Sequence, residues 1–189
     1  GGSDNWPATG NPDRYVYALV GKRARFKDRI NKKSWTMTLS GSLSNKTTMK
    51  TIVLTDDSAY VPAVATPGGP RYNIVSGTLG VPTGSAADNY KHRTYGWFYP
   101  EMGIMLFSGT MLSSSIPGPR GAEGVVPVWS NVHTGIATAA YTGSIGFAPN
   151  VSSTTNGKNA LRFVNCMKAM AGSTNLRLRS EEDQTQENY

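Results

Sequence analysis

The clearest alternation of apolar and polar positions lies at residues 34–41 (SWTMTLSG), where Trp35, Met37 and Leu39 interleave with Ser34, Thr36, Thr38 and Ser40. A period of two sends the two sets to opposite faces of a strand, so this stretch predicts a half-buried β-strand. After a polar turn at 44–46, residues 49–55 predict a partner strand that Asp56, Asp57 and Ser58 close. The two form a hairpin or antiparallel neighbours. Residues 14–20 (RYVYALV), 71–76 (RYNIVS) and 175–179 (NLRLR) read as further strands. The longest apolar run, 95–115, predicts two buried strands, 95–99 and 104–108, around a turn made by Pro100, Glu101 and Gly103.

Helical spacing is rarer. Phe26 and Ile30 stand four apart, which predicts a short basic helix over 22–30. Leu161, Val164, Cys166 or Met167, and Met170, widened by Phe163, give the apolar stripe of an amphipathic helix over 158–171, ended by Gly172. The expected fold is mainly β (α+β): an antiparallel sheet or sandwich with one short basic helix and one C-terminal amphipathic helix. Residues 1–13 read as a linker-like arm. Residues 14–179 read as a single β-rich domain with a long loop or insertion at about 116–157, and 180–189 as a polar acidic tail of the kind that continues in a longer protein. Residues 59–70 read as irregular and 77–92 as a surface loop.

Composition narrows the class. The chain is polar and rich in Gly, Ser, Thr, Asn and Pro, which suits strands and loops. No apolar segment approaches the roughly 18 residues of a spanning helix. The one cysteine, Cys166, forms no internal bridge, so the chain is expected to fold in a reducing compartment. The formal net charge of +7 resolves into one segment. Residues 22–33 hold seven cations, Lys22, Arg23, Arg25, Lys27, Arg29, Lys32 and Lys33, against one acid, Asp28.

Catalytic chemistry is not evident. His92 and His133 stand isolated, Asp56 and Asp57 read as an acidic turn, and Cys166 sits on an apolar stripe. The glycines form no phosphate-binding loop. The expectation is a non-enzymatic protein without catalytic residues, metal or cofactor. The seven cations offer partner chemistry: they would contact an acidic neighbour, such as the tail at 181–187 of the same or another copy, or phosphate. Nucleic acid is the weaker reading, because Phe26 is the one aromatic interleaved among them. Trp6, Tyr90 and Trp129 lie in loop-like sequence and could stack on sugars, which gives a receptor- or glycan-binding alternative.

Three blocks carry a resemblance: 16–41 (VYALVGKRARFKDRINKKSWTMTLSG); 71–80 (RYNIVSGTLG) followed by 95–115 (YGWFYPEMGIMLFSGTMLSSS); and 175–189 (NLRLRSEEDQTQENY). In this order they resemble a large virion structural protein of contractile-tailed marine phages, especially those infecting cyanobacteria. The blocks are packing and turn motifs covering under half of the chain. The resemblance implies a tail-associated assembly subunit, in a neck or baseplate, folded in the host cytoplasm before it joins the virion. It would be present as a homo-oligomer among other virion proteins. The basic segment would then be an inter-subunit contact that sets register more than affinity.

Overall fold

Strand pairing accounts for most of the structure. The computed structural model describes residues 16–22, 28–42, 49–83, 94–116, 160, 163–164, 166–167 and 176–181. In chain order these form β1 (Val16–Val20), β2 (Arg29–Ile30), β3 (Thr36–Ser42), β4 (Met49–Asp56), β5 (Val64–Thr66) and β6 (Gly69–Thr78). There follow β7 (Val81–Pro82), β8 (Gly96–Tyr99), β9 (Ile104–Ser108), helix α1 (Gly109–Ser115), β10 (Leu176–Arg177) and β11 (Ser180–Glu181). The fold is mainly β, with antiparallel pairing throughout the described residues.

The large sheet runs β1-β9-β8-β6-β4-β3-β10, with β5 and β7 also paired to β6; β11 and β2 make a separate two-stranded ribbon. The ten-residue β6 is the hub, bonded directly to β4, β5, β7 and β8. Alternation then builds the core. Registers such as Met37↔Leu54, Leu39↔Ile52, Tyr72↔Phe98, Phe98↔Met105 and Tyr17↔Phe107 line up the apolar positions on one face. On that inner face Trp35, Met37, Leu39, Leu54, Ile74, Phe98 and Phe107 are fully buried. Trp35 meets Phe98 edge-on at 5.4 Å, a favoured aromatic geometry.

The hairpin over β3 and β4 forms as the alternation predicts, as do the two strands around the Pro100 turn. Three expectations change. Lys22 is not helical, and the predicted basic helix ends in strand at Arg29–Ile30; residues 23–27 lie outside the described residues. The reason is tertiary: Ile30 is buried, its amide donates to the Pro100 carbonyl at 3.0 Å, and its strand pairs with β11. Such anchoring overrides a four-residue spacing. The second change is at residues 180–189, where Ser180–Glu181 form β11 rather than tail; 182–189 lie outside the described residues. The third is β5 and β7, which fall in stretches read as irregular and as loop.

One helix was not anticipated. Ser108 caps α1 by accepting a hydrogen bond from the Met111 amide at 3.1 Å. Leu112 and Ile116 are then buried in the core. Ile116 is also the first residue of the expected insertion at 116–157, the rest of which is outside the described residues, as is the arm at 1–13. Of the expected helix at 158–171, Ala160, Phe163, Val164, Cys166 and Met167 are described and helical. Phe163 and Cys166 join the core, with Phe163 stacked 5.6 Å from Tyr17. Val164 is 41% exposed, so it does not lie on the buried stripe.

The β6–β7 connection shows local strain. Thr78 pairs with Val81, leaving Leu79 and Gly80 as the central residues, with φ of 47° and 77°. Two positive φ values mark a type I′ turn, which favours Asn-Gly. A leucine held there is expected to cost about 1 kcal/mol. Its side chain is 57% exposed, so little burial offsets that cost. Leu79→Asn is therefore expected to stabilise the fold by about 1 kcal/mol, read as a higher urea midpoint with an unchanged slope. A lower midpoint would show that Leu79 contributes packing that the exposure does not reveal.

Candidate protein interface

The face of the sheet opposite the core divides into two chemistries. On β3 and β4 it carries Thr38, Ser40, Thr51 and Val53. On β1, β9 and β8 every position is apolar until the sheet reaches α1. The registers Ala18↔Leu106, Val20↔Ile104, Trp97↔Leu106 and Tyr99↔Ile104 place these side chains in adjoining rows. Val16 and Val20 are 52% and 62% exposed, Ala18 is exposed, and Ile104, Leu106, Trp97 and Tyr99 are half-buried. Contiguous apolar surface of this kind marks interaction sites more often than scattered exposed residues do.

A polar seam borders the patch on β6. The Arg71 guanidinium lies 4.0 Å from the centre of the Trp97 ring, a cation–π contact that fixes the indole against the sheet. Next to it Asn73 donates from its backbone to Asp57 Oδ1 at 3.0 Å and from Nδ2 to Oδ2 at 2.8 Å. On its other flank the patch ends at β1, the outermost strand of the sheet among the described residues. Its sequence, VYALV, has no charge and no proline. Natural edge strands usually carry such features to block pairing with another chain.

The described cations of the basic segment, Lys22, Arg29, Lys32 and Lys33, take separate positions. Lys22, exposed, follows β1. Arg29 lies in β2, beside Asp28 and Glu101 in an open groove of about 690 Å³ that also includes Met102. Its Cα partner across the ribbon is Glu181. Lys32 turns over the Tyr72 ring at 5.3 Å and donates to its hydroxyl at 3.3 Å. Lys33 adopts a left-handed φ of 62°, and its amide donates to Asp56 Oδ2 at 3.0 Å. Arg23, Arg25 and Lys27 lie outside the described residues, as do the loop aromatics Trp6, Tyr90 and Trp129.

Asp56 and Asp57 serve as turn anchors. Asp56 also accepts from the Ser58 amide at 3.2 Å and from the Ser58 hydroxyl. Asp57 is buried, and that burial pushes its carboxyl above the usual value, with the nearby Asp56 charge adding and the Asn73 bonds opposing. A carboxyl raised in the folded state binds its proton more tightly there than in the unfolded chain. Its charged form then costs stability above the folded pKa, and the cost fades as pH falls through that value towards 3.8. Melting temperature relative to Asp57→Asn is expected to move in favour of the native chain between about pH 7 and about pH 4. A difference that is flat or moves the other way contradicts this.

Among the described residues there is no cluster of three metal-ligating side chains, and no helix is long and apolar enough to cross a membrane. Cys166 is buried in the core. The apolar face was hidden from sequence reasoning because β1 reads simply as a strand with both faces apolar. The signal that could have found it is that VYALV, unlike 34–41, does not alternate. No family model, curated protein or solved structure matches this chain.

Proposed function

We propose that the chain is a structural subunit of a phage-like particle, acting through protein–protein contact rather than catalysis. The observation that supports contact is the apolar outer face of β1, β9 and β8, which ends at an uncharged edge strand. Burying that surface against a neighbour yields hydrophobic stabilisation, and an open strand edge offers backbone hydrogen bonds in register. The particle enters through the resemblance of the three sequence blocks to contractile-tailed phage virion proteins. A neck or baseplate position, in several symmetric copies, follows from the same resemblance.

The test is mass spectrometry of purified virions, with the chain carrying Val16→Asp and Val20→Asp as the comparison. Both residues are more than half exposed, so the variant should fold. The native chain is expected in particles, and the variant is expected to be depleted from them. A native chain found as a stable soluble monomer in host cytoplasm, with none in particles, would sink the reading.

A further inference from the structure

The backbone of β1 shows which residues are available at the edge. The Gly21 amide donates to the Gly103 carbonyl at 2.9 Å, and these two residues continue the β1–β9 register. In an antiparallel ladder, hydrogen-bonded pairs alternate with non-bonded ones. Leu19↔Met105 and Tyr17↔Phe107 are therefore bonded pairs, and Val16, Ala18 and Val20 direct their N–H and C=O groups away from β9. An independent bond agrees. The Ser108 amide donates to the Tyr95 carbonyl at 2.8 Å, which assigns the even residues of β9 to β8 and leaves the odd ones for β1.

The three outward residues are symmetric about Ala18: valine, alanine, valine. The two inward ones flank it as Tyr17 and Leu19. We infer that a second copy of this chain pairs on β1, antiparallel about a two-fold axis at Ala18, an inference that rests on the assembly reading above and names its first partner. In that register Ala18 meets Ala18 of the other copy, and Val16 meets Val20 in both directions. All three pairs are of the bonded type, giving about six hydrogen bonds. On the outer face the exposed valines cover one another, and on the inner face Tyr17 adjoins Leu19. A two-fold contact must be self-complementary, so that each residue finds its counterpart when the copies exchange. This five-residue pattern meets that condition, and it carries no charge to repel its own image. The apolar patches of the two copies then join into one continuous surface across the seam.

The experiment is sedimentation equilibrium on the full-length chain and on Ala18→Pro. Proline at this position removes the outward N–H and leaves the bonds from Tyr17 and Leu19 to β9 intact. The native chain should show a concentration-dependent dimer, and the variant should dissociate about thirtyfold more readily, two bonds being lost by symmetry. Should the proline impair folding, Val20→Lys places a charge on the same edge at an exposed position and should give a comparable loss. Register is read by oxidative cross-linking. A mixture of Val16→Cys and Val20→Cys chains should form the mixed disulfide, and neither preparation alone should cross-link. A monomeric native chain, like-with-like cross-links, or a dimer untouched by both edge variants would each overturn the inference. A monomer that still enters virions defeats this inference and spares the assembly reading; a dimer absent from virions does the reverse.

Discussion

Gly96→Ala is expected to cost about 3 kcal/mol of stability, the upper end of what a single added methyl does in a packed interior. Gly96 begins β8 and pairs with Phe107 on β9 and Ile74 on β6. A Cβ built at this position runs into the Leu106 carbonyl oxygen and comes within 2.9 Å of its carbon and 3.0 Å of the Phe107 Cα. All three atoms belong to the neighbouring backbone, so no side-chain rotation relieves the clash. The two strands must separate, which weakens the ladder that carries β1 and the apolar face with it. Urea denaturation of the full-length chain measures the effect. A loss below about 1 kcal/mol would mean that β8 and β9 can part without disturbing their neighbours.

Asp56→Ala is expected to cost a similar amount, about 3 kcal/mol, through a different mechanism. Asp56 is fully buried at the end of β4. Its two oxygens hold the Lys33 amide on one side and the Ser58 amide and hydroxyl on the other. Removing the carboxylate leaves donors without their acceptor and releases the left-handed turn at Lys33. That turn packs on Gly80, whose absent Cβ would fall 2.5 Å from Lys33 Cβ and 2.7 Å from its Cα. Asp56→Asn keeps an oxygen for Ser58 but turns an N–H₂ group towards the Lys33 amide, so it should lose roughly half as much. Thermal melts of both variants decide the point. An alanine variant as stable as the native chain would show that the turns hold themselves.

How much of this could be read beforehand depended on whether one residue's environment was local or distant. The strand at 34–41 was legible because Trp35, Met37 and Leu39 share one buried face and their polar neighbours the other. The turn after Tyr99 was legible because Pro100 and Gly103 have few other uses. Ile30 was misread because its environment comes from Pro100 and from a strand some 150 residues away in sequence. Helix α1 was missed because GTMLSSS has weak helical propensity; its signal was the capping hydroxyl of Ser108. The candidate interface was the least legible. An apolar residue facing outwards and one facing inwards are the same letter, and the registers of β1 against β9 and β8 are needed to separate them.

The pairing of the C-terminal strands has a consequence for how the chain is made. β10 closes on β3 and β11 on β2, while the hub strand β6 and its partners lie well before them in sequence. The Arg179 amide and carbonyl also tie to Ser34 Oγ at 3.1 Å and to the Asn31 amide at 2.7 Å. During synthesis the middle of the sheet can therefore assemble on the ribosome, but β2 and the far side of β3 wait for residues 176–181 to emerge. Contacts of such long sequence separation form late and slowly. Closure of this corner thus comes after the middle of the sheet has formed, and until it occurs the nascent chain has, among the described residues, an open margin at β3 as well as at β1.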